Sequence, residues 1–163
     1  GYLDEGKPVI WAASLASLGS PAAKQLQSEL GVTVKVDADA ATTMRRPMEV
    51  MGDPAWTAGV LRLFVDKGVP SVRVEGAEPM VQLRHGAWHI EERHSERPVR
   101  YDIVSRKQVG KGTFWVFAPL DLFDDTALPD TAGQRQDVVR QQAAELAIRM
   151  LKIPLGDDTR YED

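Results

Sequence analysis

The pattern of apolar and polar positions predicts several strands. Residues 113–117 form a continuous aromatic and β-branched run that stops before Pro119. A run that is apolar on both faces is typical of an interior strand in a sheet covered on both sides. Short turn signals between the later strand-like runs favour antiparallel pairing there. The other predicted strands are residues 8–13, 32–36, 71–74, 80–83, 87–91 and 100–105.

Three helices are predicted from cap residues and helical spacing. Ser20-Pro21 places an N-cap serine before a proline at the first helical position, and Gly31 ends that helix. A second cap-plus-proline start predicts a helix over residues 53–67. Residues 130–152 carry apolar side chains at helical spacing and form the longest predicted helix.

These elements predict one α/β domain over residues 1–163. Its mixed sheet has a parallel N-terminal part and an antiparallel C-terminal part, flanked by helices in a flavodoxin-like or amidotransferase-like arrangement. Residues 8–36 form a right-handed βαβ unit if their two strands are parallel. Residues 37–46 are polar and irregular, which favours a loop. The abrupt start at Gly1 indicates a piece of a longer chain, which leaves room for a membrane anchor upstream.

The composition excludes several classes of function. The formal net charge of −4 argues against a nucleic-acid partner, because such proteins normally present a basic face. The chain contains no cysteine, so disulfides, thiolate metal sites and cysteine nucleophiles are excluded together. No apolar run approaches the roughly 20 residues that a membrane-spanning helix needs.

The three histidines fall close together and are the candidate metal ligands. His89 and Glu91 project from the same face of a strand, and His85 and His94 lie on either side of them. None of the zinc-hydrolase spacings is present, so a polar hairpin rim is the favoured interpretation. A metal-dependent enzyme that uses these residues is the alternative.

Two groups of carboxylates follow predicted strands and are candidate binding residues. Asp121, Asp124 and Asp125 come just past the carboxyl end of the 113–117 strand, where open α/β sheets usually bind ligands. Asp37 and Asp39 form a smaller group after the second strand. Such carboxylates bind divalent cations or act as acid and base, but they also cap turns, which is the favoured interpretation.

No residue is predicted to be catalytic and no cofactor is expected. The serines after the first strand lack the Gly-x-Ser-x-Gly context of a nucleophile elbow. Residues 110–112 contain two glycines but lead into a strand rather than a helix, so they predict a turn rather than a phosphate loop.

Residues 2–11, 30–32 and 110–125 resemble parts of glutamine-amidotransferase-like domains without catalytic function, as in GldG-type auxiliary components of ABC transporters of the bacterial envelope. Residues 2–11 resemble the step from a helix end through a glycine into a buried strand, and residues 30–32 resemble the Leu-Gly-Val helix end that follows. Residues 110–125 resemble the later Gly-x-Gly strand. Glutamine hydrolysis needs a cysteine nucleophile, so this resemblance implies binding without amidotransferase activity.

Residues 123–151 are similar to the end of the LptE family of lipoproteins, which serve lipopolysaccharide export, and residues 20–32 to their Ser-Pro-led helix. Both resemblances imply a role in the periplasm or at the membrane of the cell envelope, without excluding the cytoplasm.

We therefore expect a non-catalytic binding or scaffolding domain of a bacterial envelope assembly or transport system, with protein partners and no nucleic acid. The alternatives are the metal-dependent enzyme and an LptE-like export component.

Overall fold

The computed structural model describes residues 1–42, 46–84, 99–123 and 134–156. The strands are β1 (Val9–Ala12), β2 (Thr33–Ala41), β3 (Arg46–Gly52), β4 (Arg62–Val65), β5 (Pro70–Glu75), β6 (Glu78–Arg84), β7 (Arg100–Val109) and β8 (Gly112–Phe117). The helices are α1 (Pro21–Leu30), α2 (Pro54–Thr57) and α3 (Gln134–Lys152). Short 3₁₀ turns are formed by Leu15–Ser17, Leu120–Phe123 and Ile153–Leu155.

The described strands form one curled sheet, which confirms the predicted α/β class with a mixed sheet. The strand order is β1-β8-β7-β6-β3-β4, and β2 and β5 form a branch that joins β7. The pairs β1/β8 and β5/β7 are parallel, whereas the other pairs are antiparallel. Because β1 pairs with β8 and β2 pairs with β5, the strands of residues 8–36 are not neighbours, and the expected βαβ unit is not formed.

Strand β8 lies inside the sheet, between β1 and β7, as its apolar sequence predicts. Phe114 and Val116 are fully buried, and Trp115 and Phe117, which alternate with them along the strand, are also buried. The Trp115 ring packs against Trp56 of α2 with centroids 5.4 Å apart and planes inclined by 51°. Both faces of β8 are therefore covered.

The prediction of a helix over residues 53–67 is wrong beyond the first turn of that segment. Asp53 caps α2 by accepting the N–H of Ala55 at 2.9 Å, but the helix ends at Thr57. Gly59 then takes a positive φ of 76°, and β4 follows. In β4, Leu63 and Val65 are buried while Arg62 is exposed, and the strand pairs with β3. A strand partner elsewhere in the chain therefore overrides the local helical pattern.

The loop predicted over residues 37–46 is also wrong in large part. Strand β2 continues to Ala41, and β3 begins at Arg46. Among the described strands, β2 pairs with β5 alone, so most of its side chains face solvent and its sequence is polar. Polarity indicated a loop, whereas it reflects the exposed position of this strand.

Helix α1 is confirmed from cap to cap. Ser20 Oγ accepts the N–H of Ala23 at 3.2 Å, and Gly31 ends the helix in the left-handed region with a φ of 63°. Lys107 of β7 donates from Nζ to the carbonyl oxygen of Leu30 at 2.6 Å. A cation at the C-terminal end of a helix is favourable because the last carbonyls carry partial negative charge.

Helix α3 covers one end of the sheet and confirms the predicted C-terminal helix. Leu146 is fully buried and Met150 is nearly so, while Ala143 is half-buried against the same core. The helix gives way to the 3₁₀ turn that contains Pro154. Within the described residues, no helix combines the length and apolar character that crossing a membrane would require.

Candidate protein-binding surface

Asp121, the first of the predicted binding carboxylates, has a structural role. It lies in the 3₁₀ turn after β8, and its Oδ2 accepts the backbone N–H of Leu15 at 2.8 Å. Leu15 begins the 3₁₀ turn that follows β1, so Asp121 ties together the carboxyl ends of two parallel neighbours. This contact joins two distant segments of the chain, whereas a turn cap bonds the backbone of its own turn. Asp124 and Asp125 lie outside the described residues.

Asp37 and Asp39, the second carboxylate group, lie on β2. Asp37 Oδ1 accepts the N–H of Asp39 at 3.1 Å, an exposed local contact where the β2/β5 register shifts. The structure therefore places this pair in the β2–β5 branch, away from the segment after β8 that holds Asp121.

The predicted metal ligands His85, His89, Glu91 and His94 all lie outside the described residues, as does the predicted strand over residues 87–91. In the part of the chain that the structure describes, no group of three or more His, Asp or Glu side chains could hold a metal ion. The metal site stays a prediction.

A buried carboxylate that sequence reasoning missed lies at the centre of the sheet. Asp102 of β7 is fully buried and accepts the backbone N–H of Val74 at 2.9 Å and Gln82 Nε2 at 2.7 Å. Arg100 donates to both oxygens of Asp102 at 3.0 Å, and this hydrogen bonding raises the pKa of the guanidinium above its ordinary value. The signal in the sequence was an arginine and an aspartate two positions apart on one strand, which places both side chains on the same face.

The Asp102 group stabilises the junction of three strands rather than forming a reactive site. Its partners come from β5, β6 and β7, and together they supply four hydrogen bonds to the carboxylate. Beside it, Ser71 Oγ donates to the carbonyl of Arg100 at 2.6 Å and accepts its N–H at 3.1 Å. Buried polar groups with all partners present hold a fold in one arrangement.

Helix α3 is fixed against α2 and β4 by two long polar side chains. Gln142 Oε1 accepts the N–H groups of Leu61 at 2.7 Å and Arg62 at 3.1 Å. Arg149 donates from Nη1 to the carbonyl oxygen of Trp56 at 2.8 Å. These contacts set the rotation of α3 about its axis, so they determine which of its side chains face solvent.

The face of α3 that points away from the core carries apolar side chains as well. Ala144, Ile148 and Leu151 follow one another at i, i+4 and i+7 and are exposed, with Ile148 at 38% and Leu151 at 66% of their full accessible area. Leu155 continues beyond the helix, and Leu61 is exposed to 68% next to Gln142. We call Leu61, Ala144, Ile148, Leu151 and Leu155 the α3 outer surface.

This surface concentrates the exposed apolar side chains. Seven large hydrophobic residues are exposed among those described, and four of them belong to the α3 outer surface. Ile148 and Leu151 lie about one turn apart on α3, and adjoining exposed apolar groups of this kind mark interaction surfaces.

Two depressions flank Gln142 beside the α3 outer surface. One has a volume of about 500 Å³ and lies between Gly59 and the helix, where Ala144 and Ile148 line it. The other, of about 490 Å³, is lined by Glu49, Val50, Leu61 and Arg62. The arrangement places apolar side chains beside the charged residues Glu49, Arg62 and Glu145.

Sequence reasoning missed this surface because it assigned one apolar face to the C-terminal helix. The apolar residues at helical spacing are Val138, Val139, Ala143, Leu146, Ala147 and Met150. The structure does not describe the side chains of Val138 and Val139. Ile148 and Leu151 fall outside that stripe. A surface helix with apolar residues on two faces was the signal that could have revealed a second contact.

Comparisons with known proteins found no matching protein-family model and no similar curated protein or solved structure.

Proposed function

We propose that this chain is a non-catalytic protein-binding domain that serves as a scaffold in a bacterial cell-envelope assembly. The envelope context rests on the sequence resemblances of residues 2–11, 20–32 and 110–151. The protein-binding role rests on the α3 outer surface. No other described element carries as many large exposed apolar side chains.

The distribution of polar contacts supports a binding role over a catalytic one. Each described carboxylate that was a candidate from the sequence or is buried accepts a backbone N–H. Asp121 accepts that of Leu15, Asp37 that of Asp39, and Asp102 that of Val74. Exposed apolar side chains, in contrast, are costly in water and gain free energy when a partner covers them.

The partner that fits this surface is an amphipathic helix of another protein. Ala144, Ile148 and Leu151 form a ridge along α3, and the depression beside Gly59 runs next to that ridge. A second helix packs well on such a surface because its own ridge of side chains fills the groove. Glu145, Arg149 and Arg62 lie at the border and supply charges of both signs for a polar rim.

The test is a binding assay with the double variant Ile148→Asp/Leu151→Asp. The wild-type chain retains a discrete envelope protein from solubilised membranes, which is identified and then produced in pure form. Calorimetry with that purified protein gives saturable binding, and the double variant weakens it at least about tenfold, because two carboxylates must be desolvated on an apolar contact.

The matched control is the double variant Val36→Asp/Met51→Asp, which adds the same two charges at exposed apolar positions on β2 and β3. It should bind as the wild type does. Equal binding by the double variant and the wild type, or equal losses in the variant and its control, would contradict the assignment of the α3 outer surface.

The metal-dependent alternative is separated from this proposal by a thermal-shift scan with Zn²⁺, Mn²⁺ and Mg²⁺. A ligand that binds only the folded state raises its melting temperature. The binding-domain proposal expects no metal-dependent shift. A saturable increase that disappears in His89→Ala would favour the enzyme.

A further inference from the structure

The sheet has three free borders among the described strands, and they are protected to different degrees. Strand β4 ends one side of the main sheet, β2 ends the branch, and β1 ends the other side of the main sheet. A strand at a border presents unpaired N–H and C=O groups that can pair with another chain, so proteins usually block such borders.

Two of the three borders carry protections of this kind. At β4, helix α3 packs alongside, and Gln142 occupies the N–H groups of Leu61 and Arg62. At β2, Gln27 of α1 accepts the N–H of Val34 at 2.9 Å, and the strand carries charged side chains and an irregular register after Asp37.

Within the described residues, strand β1 has none of these protections. Its residues are Val9, Ile10, Trp11 and Ala12, without a charge, a bulge or an internal proline. Ala13 donates its N–H to the carbonyl oxygen of Phe117 at 2.8 Å. Because backbone groups alternate in direction along a strand, Trp11 and Val9 also turn their N–H and C=O groups toward β8. The N–H and C=O groups of Ile10 and Ala12 therefore point away from the sheet.

The open part of the border is short and has defined ends. Pro8 precedes it and has no N–H to donate. At the other end, the N–H of Ser14 is occupied by Ser17 Oγ at 3.1 Å. Only Ile10 and Ala12 can exchange full pairs of hydrogen bonds with a strand laid alongside.

We propose that the β1 border pairs with the β1 border of a second copy of this chain, antiparallel and about a two-fold axis at Trp11. Ile10 then exchanges two hydrogen bonds with Ala12 of the partner subunit, and Ala12 exchanges two with the partner subunit's Ile10. Trp11 lies opposite the partner's Trp11 in a non-hydrogen-bonded pair, where cross-strand side chains approach most closely and aromatic pairs are favourable.

A second copy of the chain fits the open segment in this arrangement. Ile10 and Ala12, the two residues with outward backbone groups, lie symmetrically about Trp11. One two-fold rotation therefore pairs the N–H and C=O groups of both residues with those of the second copy. The segment is uncharged, so no like charges face each other across the axis. A two-fold contact uses the β1 border of both copies, so pairing stops at a closed dimer and does not continue into a filament.

The variant Ala12→Pro tests the pairing without removing a bond inside the protomer. The Ala12 side chain is exposed, its N–H faces outward, and proline is tolerated at a sheet border with that orientation. Analytical ultracentrifugation should show a concentration-dependent dimer for the wild type. Ala12→Pro should weaken dimerisation at least about tenfold through the loss of two hydrogen bonds. Ala12→Ser, which keeps the N–H, should dimerise like the wild type.

Amide hydrogen exchange on the wild type decides the proposal even if Ala12→Pro fails to fold. The amides of Ile10 and Ala12 should become protected as protein concentration rises, whereas the Trp11 amide, bonded within the protomer, should be protected throughout. A wild type that stays monomeric at about 200 µM, or Ile10 and Ala12 amides indifferent to concentration, would overturn the dimer. So would a dimer that dissociates in Ile148→Asp/Leu151→Asp, because that result would place the contact on α3.

Discussion

The carboxylate of Asp102 accepts the backbone N–H of Val74 at 2.9 Å and so joins β7 to the branch formed by β2 and β5. The direct ladder between β5 and β7 is limited to the pair of Val72 and Tyr101. The buried Asp102 side chain therefore extends the contact between β5 and β7, which the backbone makes at a single residue pair.

Replacing Asp102 with asparagine should lower the free energy of unfolding by about 2–4 kcal/mol, because the amide nitrogen would face donors and leave Arg100 without its charge partner. Urea unfolding followed by tryptophan fluorescence measures the change. The control is Glu78→Gln, which removes the exposed Arg106 ion pair and should cost no more than about 0.5 kcal/mol. Similar losses in both variants would show that Asp102 contributes no more than a surface pair.

Gly76 should tolerate no side chain, whereas Gly68 should tolerate alanine at a modest cost. Both have a φ of 82°, so alanine at either one is strained by about 1–2 kcal/mol. At Gly76, a Cβ would also lie 2.2 Å from the carbonyl oxygen of Gly31, while nothing lies within 4 Å of Gly68. Thermal unfolding should therefore show a larger loss for Gly76→Ala by at least about 2 kcal/mol. Equal losses would mean that the turn after β5 can move away from the end of α1.

Gln142→Ala should loosen the contact between α3 and β4. The N–H groups of Leu61 and Arg62 then lose their acceptor, and amide exchange at both positions should accelerate several-fold. The stability cost should be about 0.5–1.5 kcal/mol, since water can reach this exposed contact. Gln141→Ala, at the exposed neighbouring position, should leave both amides unchanged. Unchanged exchange in Gln142→Ala would show that helix packing alone closes this border.

Ser20→Ala should lower stability by about 1 kcal/mol through the loss of the N-cap of α1. Ser28, exposed in the last turn of the same helix, provides the control, because its replacement by alanine keeps every cap contact. Chemical unfolding distinguishes the two variants. A Ser28→Ala variant as unstable as Ser20→Ala would contradict the role of the cap.

The elements that could be predicted from the sequence are those that local chemistry specifies. Ser20-Pro21 and Gly31 mark the ends of α1, and the apolar run that ends at Phe117 marks an interior strand. In each case a few neighbouring residues carry the whole signal, and the fold does not oppose it.

The elements that could not be predicted depend on partners far away in the chain. Leu63 and Val65 follow a helical cap at Asp53, and only the β3 partner makes them a strand. The same holds for the candidate surface. Ile148 and Leu151 are exposed because Gln142 and Arg149 fix the rotation of α3 against α2 and β4. No local pattern contains that information.

The parallel pairing of β1 with β8 has a consequence for synthesis on the ribosome. Val9 pairs with Phe114, and Ala12 pairs with Phe117, so β1 finds its neighbour only after all the residues between the two strands have been made. Contacts of such long sequence separation form late and slow the folding of a domain. During translation the nascent protein therefore carries an apolar N-terminal segment without its native cover, and chaperones that bind short hydrophobic stretches would have their longest opportunity there.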